Sequence, residues 1–324
     1  MEIKTSEKIL KYIHDRGQAS GNELSHFLGL TDRAVRKQLN TLLEKGDIVK
    51  IGRSPKVYYI LPTDKKNETK YSLPKGSMEI INKNFLVISP SGEKIEGFPG
   101  FVFWCEKRGE LVEKTAQEYI ATVKKYGLYK KNGLIDGMYK MKHTFSDIYL
   151  DKLFYLDFYS VERFGKTKLG QFLLYAKQSQ SRELIKELVG DIKPTIERLL
   201  KKQKIDAVGF IPPTVKREVQ FMKELERNLQ LPLPVINIVK IKTPIIVPQK
   251  TLNKLEDRVE NAKKTIIVDE TKKYKTILLL DDALGSGATL NETAKKLKQQ
   301  GVAEKVIGLS ITGSFSGFEV ISEV

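Results

Sequence analysis

Apolar residues first recur at helical spacing at Ile9, Leu10 and Ile13, and the pattern stops before Gly17. A second short helix opens at Ser20 with Glu23 three residues on, the capping-box arrangement, and ends at Gly29. Thr31 caps a third, with Ala34, Val35, Leu39, Leu42 and Leu43 on its buried side and Gly46 at its end. Ile48–Ile51 and Val57–Leu61, on either side of the turn Gly52 to Lys56, read as a β-hairpin with a basic tip. Residues 62–77 are rich in Lys, Thr, Asp, Asn, Ser and Pro and read as a linker. In 78–147, Asn84–Ser89 and Gly100–Cys105 suggest strands and Glu110–Tyr126 an amphipathic helix, an α+β region to which no role can be attached. Beyond it, Leu184–Leu200 reads as a helix broken at Pro194, Ile205–Ile211 as a buried strand and Glu218–Asn228 as a helix. The expected organisation is 1–61, a linker 62–77, 78–147, and a larger α/β domain over 148–324.

The chemistry concentrates at Thr276 to Thr289. The run Ile277 to Leu280 does not alternate, so it reads as a strand buried on both faces. It ends in Asp281 and Asp282, followed by Ala283, Leu284, Gly285, Ser286, Gly287, Ala288 and Thr289, and then by a helix from Asn291 to Gln300. Gly285 and Gly287 allow a sharp turn with N–H groups open to an anion, and the helix N-terminus adds the positive end of its dipole. Carboxylates do not hold a phosphate. Accepting hydrogen bonds from a vicinal diol suits them, with a divalent cation screening the charge.

A phosphate on one side and a diol on the other describe a ribose 5-phosphate. The stretch resembles the phosphoribosyl pyrophosphate (PRPP) signature of type I phosphoribosyltransferases: a hydrophobic strand, two acids, then a small-residue loop with hydroxyls. It departs from many members in having Gly285-Ser286 where they carry two threonines. The resemblance implies a mostly parallel α/β sheet flanked by helices, with Asp281 and Asp282 as the catalytic positions and Ala283 to Thr289 around the phosphate. The strand ending in Pro212-Pro213, followed by Thr214, Lys216 and Arg217, resembles the family loop that faces pyrophosphate, and Pro213 would belong to it. Gln249, Arg258 and Asn261 fall in a Gln-x-x-Leu, Arg-x-x-Asn arrangement similar to ComF-type members, where it forms a flexible loop. The likeness covers Leu173 to Gly313, but the cysteine zinc ribbon usual in ComF proteins is missing. Magnesium would arrive with PRPP, with no direct protein ligand.

The N-terminal pattern resembles the winged helix-turn-helix of bacterial regulators. That resemblance implies DNA contacts from Thr31, Arg33, Arg36, Lys37 and Asn40 on the third helix and from Arg53 and Lys56 at the wing. A homodimer reading two half-sites is the expected assembly.

Composition narrows the field. The 324 residues are 40% hydrophobic and 30% charged, which describes a globular chain with a sizeable core. No apolar run reaches membrane-span length, and the N-terminus lacks a signal-peptide core, so no membrane partner and a cytoplasmic location are expected. A single cysteine, Cys105, excludes an internal disulfide and reads as a buried thiol beside Phe103 and Trp104. His14, His26 and His143 lie far apart in sequence and suggest no metal cluster. The net charge of +16 makes a nucleic acid a plausible partner. The architecture is similar to the purine repressors of Gram-positive bacteria. A DNA-binding regulator or nucleic-acid-directed effector that binds PRPP or a related nucleotide is therefore the leading reading. An active phosphoribosyltransferase acting on a base, nucleotide or macromolecule is the alternative, and it resembles winged-helix effectors of anti-phage systems. An inert scaffold is a third reading, against which the acid pair argues.

Overall fold

A computed structural model describes residues 4–62, 71–215, 217–241, 243–245, 247–248 and 251–314, except for the side chain of Arg53. The chain divides into two compact units, Met1–Thr115 and Ala116–Val324, and the division falls within the helix Val112–Gly127.

The first unit opens with helices Thr5–Arg16, Gly21–Leu28 and Asp32–Lys45. Ser20 and Glu23 form the expected capping box, with Glu23 N–H donating to Ser20 Oγ at 3.2 Å and Ser20 N–H to Glu23 Oε2 at 2.6 Å. Strands Val49–Arg53 and Lys56–Ile60 pair antiparallel, and Ala19–Ser20 adds a third strand against Tyr58 and Tyr59. Gly52, at φ +79°, is required at this hairpin, because a Cβ there would lie 2.2 Å from the Lys56 carbonyl oxygen. Ile9, Ile13, Leu24, Val35, Leu39, Leu42 and Ile48 close one core beneath the helices and the sheet.

The rest of this unit corrects one expectation. Leu86–Ile88 is a strand, paired with Lys94–Glu96, but Gly100–Cys105 lies inside the helix Gly97–Lys107. A run that is apolar all round carries no period, so a buried helix and a buried strand look alike in sequence. Gly97, at φ +67°, turns the chain into that helix, and Asn82 Oδ1 accepts from Phe98 N–H at 2.8 Å. Phe101, Trp104 and Cys105 are buried in it, as expected for core residues.

The second unit is built on a six-stranded sheet in the order Ala207–Phe210, Tyr274–Leu284, Ala303–Gly313, Lys152–Phe158, Leu134–Asp136, Lys130–Lys131. The first four strands pair in parallel, and Leu134–Asp136 pairs antiparallel with both Lys152–Phe158 and Lys130–Lys131. This is the mostly parallel α/β sheet expected. The central strand is longer than the apolar run suggests: it continues through both acids to Leu284, because Asp281, Ala283 and Leu284 pair with Ser310, Thr312 and Gly313 of its neighbour. Helix Arg182–Gln203 is continuous, not broken at Pro194. Its buried row Ile185, Leu188, Val189, Ile192, Ile196 and Leu199 lies on both sides of the proline, and this packing outweighs the ~3 kcal/mol that an internal proline costs.

Candidate functional site: an acid pair beside a small-residue loop

The central strand delivers Asp281 and Asp282 to the carboxyl edge of the parallel sheet, where ligands bind in open α/β folds. Beyond Leu284 the chain turns through Gly285, Ser286 and Gly287 and enters the helix Ala288–Gln299, three residues earlier than the periodicity suggests. Gly287 is the N-cap at φ +86°, and a Cβ there would lie 2.6 Å from Met141 Sδ, so both the turn and the close packing demand glycine. Ser286 is buried, and its hydroxyl accepts from Ala288 N–H at 3.3 Å. Asn291 is also buried but structural: its side chain clamps Asp147 O at 2.9 Å and Tyr149 N–H at 2.8 Å. Ala283 and Leu284 end the strand before the turn, and Thr289 is half-buried on the first turn of the helix.

Lysines surround the acids. Asp282 Oδ2 is 2.5 Å from Lys177 Nζ, a contact between side chains 24% and 27% exposed. Asp281 Oδ1 accepts the Asp282 N–H at 2.8 Å. Burial, and then repulsion from Asp282, push the Asp281 carboxyl up to about 7, while Lys177 and Lys240 pull the other way. Burial holds Lys240 below the usual lysine range. Its ammonium donates to Thr214 Oγ1 at 2.7 Å, which ties the loop after the strand Ala207–Phe210 to the acid side of the site. Arg217, exposed on that loop, donates through Nη1 to the Lys177 carbonyl at 2.6 Å. Pro213 is exposed beside Thr214. Next to Asp281 and Ala283 in register, the Ser310 and Thr312 hydroxyls are buried without a hydrogen-bond partner.

The structure therefore brings Asp281, Asp282, the Ala283–Thr289 turn, Thr214 and Arg217 to one edge of the sheet. Arg258 is placed differently: it is buried, and its Nε donates to the Leu252 carbonyl at 2.6 Å. Asn261 is half-buried on the same helix, Leu255–Thr265, and its carbonyl accepts from Thr265 Oγ1 at 2.6 Å. Lys216 and Gln249 lie outside the described residues.

In the first unit, helix Asp32–Lys45 buries Val35, Leu39 and Leu42 and leaves Arg33, Arg36, Lys37 and Asn40 exposed. Thr31 caps it, accepting from Ala34 N–H at 3.4 Å. Residues 4–48 match the family model for winged helix-turn-helix DNA-binding domains. The three helices and the hairpin that follows them are similar to a winged helix-turn-helix DNA-binding domain. The wing is the hairpin Val49–Ile60, with Lys56 exposed near the tip and Arg53 opposite it in register. No curated protein matches the chain. Among solved structures, a hypoxanthine phosphoribosyltransferase from Staphylococcus aureus aligns with 43% of this chain and 70% of its own, at 15% identity and a TM-score of 0.27.

Three lysines carry electrostatics here, of which motif reading offered only Lys240, and that weakly. Lys177 contacts Asp282, and the charge of Lys240 acts on Asp281, from a helix and a strand distant in sequence. Lys140 lies on the helix Met138–Thr144, whose Met141 backs the Gly287 turn. Burial and the Arg258 charge lower it to about 8, and its ammonium donates to Ser314 Oγ at 3.2 Å. Among the described residues no three His, Cys, Asp or Glu side chains group to hold a metal ion, and no helix is long and apolar enough to cross a membrane.

Proposed function

We propose that this chain is a DNA-binding regulator, or nucleic-acid-directed effector, whose second unit binds PRPP or a related phosphoribosyl nucleotide. The observation that carries the proposal is the half-buried acid pair at the end of a central parallel strand, running directly into a Gly-Ser-Gly turn and a helix N-terminus. The turn and helix dipole suit the 5′-phosphate, Asp281 and Asp282 suit the ribose diol, and Thr214 and Arg217 suit the pyrophosphate. The chain's own donor set is a poor fit for a resident divalent ion, because Lys177 already pairs with Asp282 and the charge of Lys240 also acts on Asp281. Magnesium enters the proposal only as the counter-ion of the ligand. Duplex DNA is the partner of the winged helix, read by a homodimer.

A second reading, an active phosphoribosyltransferase, is favoured by the raised Asp281 carboxyl. An acid that titrates near neutral pH can exchange a proton with an acceptor at working pH. Titration calorimetry of magnesium–PRPP into the purified full chain tests the shared core of both readings. Saturable binding that disappears in the Asp281→Asn/Asp282→Asn protein, with its thermal melt intact, is the expected result. Equal affinity in the two proteins would remove the assigned role of the acids. Pyrophosphate release in the presence of candidate acceptors then separates enzyme from sensor.

A further inference from the structure

Lys177 bridges two parts of the site that the sequence keeps apart. It lies on the last turn of the helix Lys168–Gln178, with its ammonium 2.5 Å from Asp282 Oδ2. Its carbonyl accepts from Arg217 Nη1 at 2.6 Å, so the same residue touches the acid pair with its side chain and the 211–220 loop with its backbone. A second bond, from Val219 N–H to Gln180 Oε1 at 3.0 Å, fixes the chain just past this helix end to the same loop. On the reading proposed above, on which this inference rests, the ribose diol lies against the acids and the pyrophosphate against that loop. The substituent at C1 of the sugar then falls between them, beside Lys177.

We infer that Lys177 is a specificity-determining residue that occupies Asp282 in the free protein and passes to the pyrophosphate at C1 when the diol takes the carboxylate. The physical argument is competition for a charge. A sugar phosphate with no anion at C1 must displace the ammonium from Asp282 and offers it no partner in return. A pyrophosphorylated sugar offers a more highly charged partner in the same step, and charge-assisted hydrogen bonds are the stronger kind. The contact therefore penalises the wrong ligand and rewards the right one, so discrimination has a repulsive as well as an attractive part. Lys240, held by Thr214 on the Asp281 side, keeps the other acid screened while this exchange occurs.

The test is calorimetry on the full chain with two probes, magnesium–PRPP and ribose 5-phosphate. It compares wild type with Lys177→Met, Lys177→Gln and Lys177→Arg, and two neutral variants guard against either failing to fold. Loss of the charge is expected to weaken PRPP binding about tenfold or more, the scale of a lost charge-assisted hydrogen bond. Ribose 5-phosphate binding should be unchanged or tighter, so the ratio of the two affinities collapses, and Lys177→Arg should restore much of it. A parallel change for both ligands, or an unchanged ratio, overturns the inference and leaves PRPP binding standing. Absence of binding of either probe to folded wild-type protein overturns the proposed function itself, and this inference with it.

Discussion

Burial, and then repulsion from the adjacent Asp282, hold the Asp281 carboxyl above the ordinary carboxylate range. It titrates near 7, well above the unfolded value of 3.8, so the folded chain binds the extra proton between about pH 4 and pH 7. Where the native state holds more protons than the unfolded state, stability falls as pH rises. The Asp281 contribution is therefore least unfavourable below pH 4 and most unfavourable above pH 7. Asp281→Asn, which resembles the protonated acid, should match wild type near pH 3.5 and be more stable at pH 8. The gain should be roughly 1–2 kcal/mol once partial exposure is discounted. Urea unfolding at the two pH values measures this, and an equal shift at both would mean that the carboxyl is not held high. Acids perturbed in this way cluster at functional sites, which agrees with the role proposed for Asp281.

At the scale of elements, helix Asp32–Lys45 presents Arg33, Arg36 and Lys37 on the face opposite its buried Val35, Leu39 and Leu42. Replacing the three with alanine leaves Thr31 and the core row untouched. The winged helix should still fold while its affinity for duplex DNA falls, and the slope of log affinity against log salt should shrink by roughly 2–3. Unchanged binding would move the DNA contact off this helix. This domain was legible in the sequence because each helix is bracketed by its own punctuation, Ser20 and Gly29, then Thr31 and Gly46, and each has a clean 3.6-residue period. Gly100–Cys105 was not legible, since a helix buried all round has no polar face to set a period. The continuity of Arg182–Gln203 through Pro194 was hidden for a related reason, because tertiary packing on both sides of the proline decides it. In the site, the acids, the glycines and the turn were legible from their order. Lys177 was not, and Lys240 was only a weak candidate, because 56 of 324 residues are lysine or arginine and only the fold singles out the two near the acids.

At the scale of the whole molecule, a winged helix and an acid-pair site on one chain form a regulator only if each changes what the other binds. Linkage makes that requirement quantitative. If the phosphoribosyl ligand alters DNA affinity by some factor, DNA must alter ligand affinity by the same factor, typically about 5–150-fold in coupled systems. The net charge of +16 favours salt-dependent attraction to DNA, so a duplex of arbitrary sequence is the first probe for the shift. Fluorescence anisotropy with and without saturating magnesium–PRPP should therefore give two dissociation constants whose ratio matches that from calorimetry with and without DNA. The ratio should return to one in Asp281→Asn/Asp282→Asn. Ligand binding with no shift in DNA affinity would rule out the regulator and favour the effector, in which the winged helix delivers a phosphoribosyl-transferring site to its target without sensing whether that site is filled.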